Sequence, residues 1–464
     1  MKRGEKTAAS PGELPCAAAD QISAEKNMNF TLKRLVTSIL ALLLFASLLH
    51  HGFESLNKRT QGPLQVTKCC GQTCLLRTEP FTPALRANIL IVSAFWDNRK
   101  WPNVVRILAI VNRKRRYALR CKFCSSKSLI HYGTPAKVYV HNDHFNFPWA
   151  LADIICLPVY YKEHYTPDFV GLQHNKSTFP LIPIENTRIR LSKEFSFTHD
   201  FGVCISTLFG GYNNVLQFTQ AMEMYRLLGA GRVTIYKSSC GPELGRVLAH
   251  YAATGLLEVI PWPIDRHLTP STGWTYPTHP GDVHYYGQTA ALNDCLYRHM
   301  YDTRYLVMND VDEIIIPVDC ADWRCLLTRL NRLYQADIYM VDNHVFPYTA
   351  TDDFGKMFDK WKFIPGHNIL TQVRREPNIP GIFNPNKLIV NPRKVIWTSV
   401  HSTERAIGKT VRVPGRIAKM HHYRTPEQPR LPKKELIFDA KMWHYYSALI
   451  DNVNTVLYET GFLT

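Results

Sequence analysis

Tyr305–Pro317 reads Y-L-V-M-N-D-V-D-E-I-I-I-P. It opens apolar, turns acidic, becomes apolar again and stops at a proline. Short apolar runs with β-branched members read as buried strands. Successive strand side chains alternate faces, so a strand running into Asp310-Val311-Asp312 is expected to carry both aspartates to its edge pointing the same way. Two hard oxygen ligands on one face suit Mn²⁺ (or Mg²⁺) held against a diphosphate. Three carboxylates within four residues would repel one another with no cation nearby. A lone D-x-D arises by chance in a chain of this size. Its weight comes from its setting: a buried strand before, apolar Ile314–Ile316 after, and a capped helical pattern upstream.

Upstream of this stretch the pattern alternates. Gly202–Ser206 is strand-like, Asn213–Leu228 helical, Arg232–Tyr236 a strand, and Pro242–Ala253 a helix with proline in its first turn and Gly255 after its end. Leu257–Ile260 is a strand, Asp282–Met300 a helix, and Tyr305–Met308 the strand that delivers the acidic cluster. Strand–helix alternation at this spacing predicts an α/β fold, a mostly parallel sheet with helices on both faces. Such sheets bind ligands at the carboxyl ends of their strands, where Asp310 and Asp312 fall. Further upstream, Arg86–Trp96, Val104–Val111, Lys137–Val140 and Val159–Tyr161 read as strands, with no long helical pattern before Asn213. Residues 86–197 therefore read as a β-rich N-terminal region and 198–464 as an α/β domain that carries the acidic cluster.

The first residues read differently. Leu35–Leu49, extended through Phe53, is an apolar run of about nineteen residues, near the lower limit for a spanning helix. Lys33 and Arg34 precede it, which puts residues 1–34 in the cytosol as a tail and 35–53 as a signal anchor of single-pass type II topology. A cleaved signal peptide is the alternative, disfavoured by the long leader and the lack of a clear small-x-small cleavage site. Residues 54–85 show no period and read as a stem.

The net charge is +17 over 464 residues, unevenly spread. Arg99–Lys127 holds ten Lys/Arg and no acid, and Lys387–Lys434 holds twelve against Glu404 and Glu427. Such patches suit polyanions or a phosphorylated substrate, and otherwise make a solvated basic face. Twelve cysteines are many for a reducing compartment. Cys69-Cys70-x3-Cys74 and Cys121-x2-Cys124 would serve zinc, but no second well-spaced pair or histidines sit nearby, and disulfides are the preferred reading. Eleven cysteines follow the anchor, so at least one is unpaired or bonded to another chain, and stem cysteines make a disulfide-linked dimer possible. Asn175-Lys176-Ser177 is a glycosylation sequon.

Several stretches resemble glycosyltransferase family 92: V-C-I-S-T-L-F-G-G at Val203–Gly211, Y-R-L-L-G-A at Tyr225–Ala230, G-Q-T-A-A-L-N-D-C-L-Y-R at Gly287–Arg298, D-V-D-E at Asp310–Glu313 and M-H-H-Y-R at Met420–Arg424. The resemblance spans roughly 200–424. It implies a GT-A-type, Rossmann-like fold, a divalent metal, a nucleotide-sugar donor such as UDP-galactose, and a glycan acceptor on glycoprotein or glycolipid in the Golgi lumen. By position, Asp310 and Asp312 become the metal and diphosphate residues. A further histidine is expected on the metal; His422 is preferred, with His421 the alternative, because neighbours on a strand face opposite ways. Gln288, Asn293 and Asp294 would reach the donor's sugar or ribose, and Arg424 and Lys387 would offset charge on the departing diphosphate. An inverting displacement needs a carboxylate base; Asp342 at a strand end is preferred over Glu376 in a loop.

Three function classes compete. The first is a metal-dependent luminal transferase of galactose, the second a catalytically silent glycan-binding relative. The third, a nucleic-acid binder suggested by the charge, is disfavoured because the anchor and cysteines place the basic clusters in the lumen, away from nucleic acid.

Overall fold

The computed structural model describes residues 65–69, 72–76, 81–84, 88–100, 102–125, 128–158, 167–174, 177–178, 180–186 and 196–464. The anchor 35–53, most of the stem, the strand expected at 159–161 and the sequon Asn175 lie outside them. Among the described residues no helix is long and apolar enough to cross a membrane.

The N-terminal region is β-rich, as its pattern indicated. An antiparallel sheet runs in the order Thr82–Ala84, Ile89–Asp97, Val104–Asn112, Trp149–Cys156, Lys137–Val140. A second antiparallel group is built on Leu119–Ser125, Ser128–Pro135 and Phe169–His174. A buried ionic knot joins the first sheet to the C-terminal region. Arg106 pairs with Asp97 and Asp153, and Arg99 donates to Asp97 and to the Tyr297 hydroxyl. Each buried charge thereby has a partner, without which burial would cost several kcal/mol.

From His199 onward the elements are β1 (His199–Leu208), α1 (Val215–Leu227), β2 (Ala230–Lys237), α2 (Pro242–Ala253), β3 (Leu257–Pro261), α3 (Gln288–Arg298), β4 (Thr303–Asn309), β5 (Glu313–Pro317), α4 (Trp323–Tyr334), β6 (Ile338–Val341), β7 (Asn343–Pro347), β8 (Lys387–Val390), β9 (Thr410–Val413), β10 (Ala418–Arg424) and α5 (Tyr446–Glu459). Local chemistry sets their ends. Asn214 caps α1 through the Gln217 amide, Pro242 opens α2, and Asp322 caps α4 through the Cys325 amide. Helix α1 is buried on nearly all sides because it lies among β2, β5, α2 and α5.

Strands β3, β2, β1 and β4 pair in parallel in that order. Beyond β4 the same sheet turns mixed: β8 and β6 add antiparallel, and β9 pairs parallel to β6. A separate three-stranded mixed sheet holds β5, β10 and β7. The expected GT-A-type architecture, one mostly parallel sheet with flanking helices, is thereby corrected: the described residues are β-rich, and these two sheets of the C-terminal region are mixed. Parallel neighbours need a crossover of a dozen or more residues. That length exists up to β4, but only Asp342 separates β6 from β7, so those strands leave for different sheets.

Candidate active site

The acidic stretch is the corner where the chain changes sheet. Strand β4 ends at Asn309, residues 310–312 form a turn, and β5 begins at Glu313 in the three-stranded sheet. The alternation expected to aim Asp310 and Asp312 alike does not operate, because a turn has no two-residue period. Both aspartates still line one cavity of about 740 Å³ at the carboxyl ends of β1 and β4, but they face different partners. Backbone bonds lock the corner: the Tyr423 amide donates to the Asp312 carbonyl at 2.9 Å, and the Asp310 amide to Glu313 Oε2 at 2.7 Å.

Asp310 is hydrogen-bonded through both oxygens, although its side chain is as exposed to the cavity as that of Asp312. Its Oδ1 accepts from Ser206 Oγ at 2.9 Å and Gln288 Nε2 at 3.1 Å, and its Oδ2 from Lys387 Nζ at 2.6 Å. Burial by itself would raise its pKa, but the Lys387 charge and the hydrogen bonds from Lys387 and Ser206 bring it down to about 2. Lys387, almost wholly buried, also reaches Glu313 Oε2 at 3.1 Å. Burial lifts Glu313 to about 7, with Lys387 opposing and Asp310 adding to the rise. Lys387 is thus an internal counter-ion between two carboxylates.

Asp312 looks the other way, toward β10. Its Oδ2 lies 3.4 Å from His422 Nε2, and Glu313 pairs with His422 across the β5–β10 ladder. Burial would lower His422, but Asp312 and Glu313 raise it above the ordinary imidazole value. Strand alternation does separate the two histidines. His422 lines the cavity, whereas His421 is fully buried, stacked on Phe346 with centroids 4.3 Å apart and pushed down to about 3 by burial.

The other sequence candidates fall in different places. Gln288 lines the cavity, as does Arg424, whose guanidinium is partly exposed and lies 3.5 Å from Glu427. Asn293 instead donates to the Thr398 and Thr289 carbonyls, and Asp294 accepts from Tyr236 and Arg298; both are buried outside the cavity lining. Asp342 and Glu376 line a second cavity next door, where Arg412 Nε meets Asp342 at 2.7 Å. Sequence reasoning assigned no part to Ser206, although the carboxyl-end rule applied to β1 points to it. It also extended the helix before β4 too far. Tyr285, Tyr286 and Gly287 all have positive φ, and α3 begins only at Gln288. Gly287 sits at φ +70°, where any other side chain is strained, and a Cβ there would also press on Ile264 Cδ1 at 2.7 Å, so the position favours glycine. Strained tyrosine backbone of this kind costs ~1–3 kcal/mol per residue and clusters at functional sites; Tyr285 lines the cavity.

The family model for glycosyltransferase family 92 matches residues 199–455, more than half of the chain. The chain belongs to glycosyltransferase family 92. It is 23% identical over 348 residues to Beta-1,4-galactosyltransferase galt-1 of Caenorhabditis elegans, covering 72% of this chain and 73% of that protein. Over 166 residues it is 25% identical to Galactan beta-1,4-galactosyltransferase GALS2 of Arabidopsis thaliana, covering 35% of this chain and 30% of that protein. Among solved structures, S. aureus TarS 1-349 in complex with UDP aligns over 48% of this chain and 60% of that chain, at 10% identity and a TM-score of 0.26, too low to bear on fold or site. Glycosyl transfer is the activity class of this family 92 domain.

A divalent cation is implied by the D-x-D. Among the described residues no group of three or more His, Cys, Asp or Glu side chains stands close enough to hold a metal alone. Asp312 and His422 nevertheless fit one. Mn²⁺ and Mg²⁺ sites in phosphate chemistry use one or two carboxylates, with substrate oxygens and water for the rest. The far nitrogen of His422, Nδ1, lies 3.6 Å from Glu313 Oε1, near this carboxylate but beyond hydrogen-bond distance. Both oxygens of Asp310 are already engaged. The disulfides Cys121–Cys156, Cys204–Cys295 and Cys320–Cys325 bear out the preference for disulfides over zinc, and Cys121 of the C-x2-C pair is in one of them.

Proposed function

We propose that this glycosyltransferase moves galactose from UDP-galactose to a glycan acceptor with inversion, using Mn²⁺ (or Mg²⁺) held by Asp312 and His422. The observation that carries this reading is the Asp312–His422 pair, 3.4 Å apart in the cavity at the carboxyl ends of β1 and β4. The names of the relatives support galactose and a β linkage. UDP-galactose is α-linked, so a β product requires inversion. The cation would offset charge on the β-phosphate as a Lewis acid.

The chain's own residues supply the rest. Arg424 projects into the cavity where the diphosphate would lie and adds fixed positive charge. Ser206, Gln288 and Lys387 hold Asp310 so that the corner keeps its shape as the donor enters. Inversion in one displacement needs a carboxylate to take the acceptor hydroxyl's proton. Asp342 and Glu376 of the adjoining cavity stand for that part; Asp342→Asn and Glu376→Gln, read for lost transfer with UDP binding intact, assign it. The disulfides support work in an oxidising compartment, and the Golgi lumen is the reading adopted.

The deciding experiment is UDP release from UDP-galactose, UDP-glucose and UDP-N-acetylglucosamine by the purified chain, with Mn²⁺ and with chelator. Metal-dependent release, strongest with UDP-galactose, is expected. Metal-independent release, or none from any of these donors, overturns the reading.

A further inference from the structure

The donor cavity has a neighbour of equal size. It also measures about 740 Å³, within the ~300–1,000 Å³ range of small-molecule sites. Asp342, Asn343, Glu376, Arg412 and Gln428 line it, and residues 377–385 wall it. Phe383 and Pro385 belong to the linings of both cavities.

The wall is a stiff loop. Its sequence, P-N-I-P-G-I-F-N-P, has a proline at each end and one in the middle. Gly381 has φ +81°, and the Ile382 amide donates to the Ile379 carbonyl at 3.3 Å; with Pro380 before the glycine this is the pattern of a type II turn. Asn384 ties the loop to β7 twice, accepting from the Asn343 amide at 2.7 Å and donating to its carbonyl at 3.0 Å. A loop restrained in this way nonetheless holds Ile382 66% and Phe383 75% exposed. Apolar side chains kept in water on a stiff loop beside a polar cleft are a binding feature, since folding alone would turn them inward.

The chemistry of the lining identifies the ligand class. A pyranose has an apolar C–H face that stacks on an aromatic ring and a rim of hydroxyls that donate to carboxylates and amide oxygens. Phe383 offers the ring; Asp342 and the Gln428 amide oxygen offer the acceptors, with Gln428 held in place by Glu376, which accepts from its backbone amide at 3.0 Å. Carboxylates outnumber Arg412 here, so an acidic glycan is repelled and a neutral one is not. We infer that this second cavity is the acceptor groove, holding a neutral oligosaccharide of two or more units across Phe383, with its reactive end in the donor cavity. The inference rests on the glycosyltransferase reading and adds the acceptor's class and length.

The test uses the full chain and the variants Phe383→Ala and Ile382→Ser, both at exposed positions. Binding to an array of neutral and sialylated glycans of one to four units is measured without donor. Transfer kinetics from UDP-galactose are then measured on the best binder. Wild type should bind neutral glycans of two or more units and discriminate against sialylated ones. Phe383→Ala should lose at least ten-fold in glycan binding and in acceptor KM, with donor KM shifting far less; Ile382→Ser should move in the same direction. Unchanged glycan binding in both variants overturns the groove, as does a monosaccharide binding as well as longer chains. Variant-sensitive glycan binding with no turnover in wild type overturns the transferase reading and leaves the groove standing.

Discussion

Lys387→Met separates two accounts of one residue. The sequence places Lys387 on the donor's diphosphate; the structure sets its Nζ 2.6 Å from Asp310 and 3.1 Å from Glu313, almost wholly buried. Methionine keeps the length and removes the charge, leaving two carboxylates without a counter-ion. Breaking a buried pair by deleting one partner costs ~3–5 kcal/mol. Part of that is relieved if Glu313 takes a proton. Burial already lifts its pKa to about 7, and losing Lys387, which opposes the rise, lifts it further. A carboxyl raised in the folded state favours folding while protonated and loses that contribution as pH climbs through the folded value. Wild type sheds it by about pH 7; the variant goes on losing stability above that. The expected deficit is therefore about 3 kcal/mol near pH 6, growing toward about 5 kcal/mol near pH 8. Denaturant unfolding of the disulfide-intact protein in chelator measures it, and adding Glu313→Gln should restore part of the loss. A variant within about 1 kcal/mol of wild type at both pH values, but with UDP affinity lost, would refute the counter-ion account and return Lys387 to the diphosphate.

Three further outcomes are expected. Asp312→Asn should cut metal-stimulated UDP release by at least ~100-fold with little change in unfolding midpoint, because its carboxylate is partly exposed and faces the cavity; activity that still responds to Mn²⁺ would exclude it as a ligand. Removing the bridge between β1 and α3 with Cys204→Ala and Cys295→Ala should cost ~2–5 kcal/mol in denaturant unfolding, since it closes a loop of 91 residues; a smaller loss would mean that packing alone holds that helix. Because His422 is raised by Asp312 and Glu313, its proton must leave before an imidazole nitrogen can meet a metal, so Mn²⁺ affinity should still be climbing as pH rises above the ordinary imidazole value. Titration followed by electron paramagnetic resonance checks this, and a flat profile contradicts the assignment.

How far the sequence was legible depends on the range of the physics involved. Strand and helix periods and end signals are local, and they located β1 through β4 and α1 and α2 closely. The mixed sheets were hidden because strand direction after β4 is decided by connections and partners far apart in sequence: β8 lies about eighty residues from β4, yet pairs with it. Alternation on β10 read His421 and His422 correctly as opposed, since that segment is a strand. The same rule failed at Asp310 and Asp312, where the chain turns between two sheets. Asn293 and Asp294 looked like donor ligands by position, but their partners, Thr398 and Tyr236, come from segments no local pattern connects to α3. The groove beside the donor cavity was equally out of reach, because Asp342, Glu376 and Arg412 meet only through tertiary packing.

The location of the acidic cluster at a change of sheet has a mechanical consequence. A turn is ordinarily the mobile part of a domain, and a site built on one would lose precision. Here the turn is clamped from three sides: the Tyr423 amide holds the Asp312 carbonyl, the Glu313 carboxylate holds the Asp310 amide, and the Tyr225 hydroxyl donates to the Glu313 carbonyl at 2.6 Å. The two aspartates then divide the work of their motif. Asp310, with Lys387, Ser206 and Gln288 around it, is satisfied before any ligand arrives and gives the corner its rigidity. Asp312, whose Oδ2 lies 3.4 Å from His422 Nε2, is the carboxylate that would meet a cation under the proposed function. One carboxylate spent on structure lets the other sit ready without reorganisation, the condition under which fixed charges are most effective in catalysis.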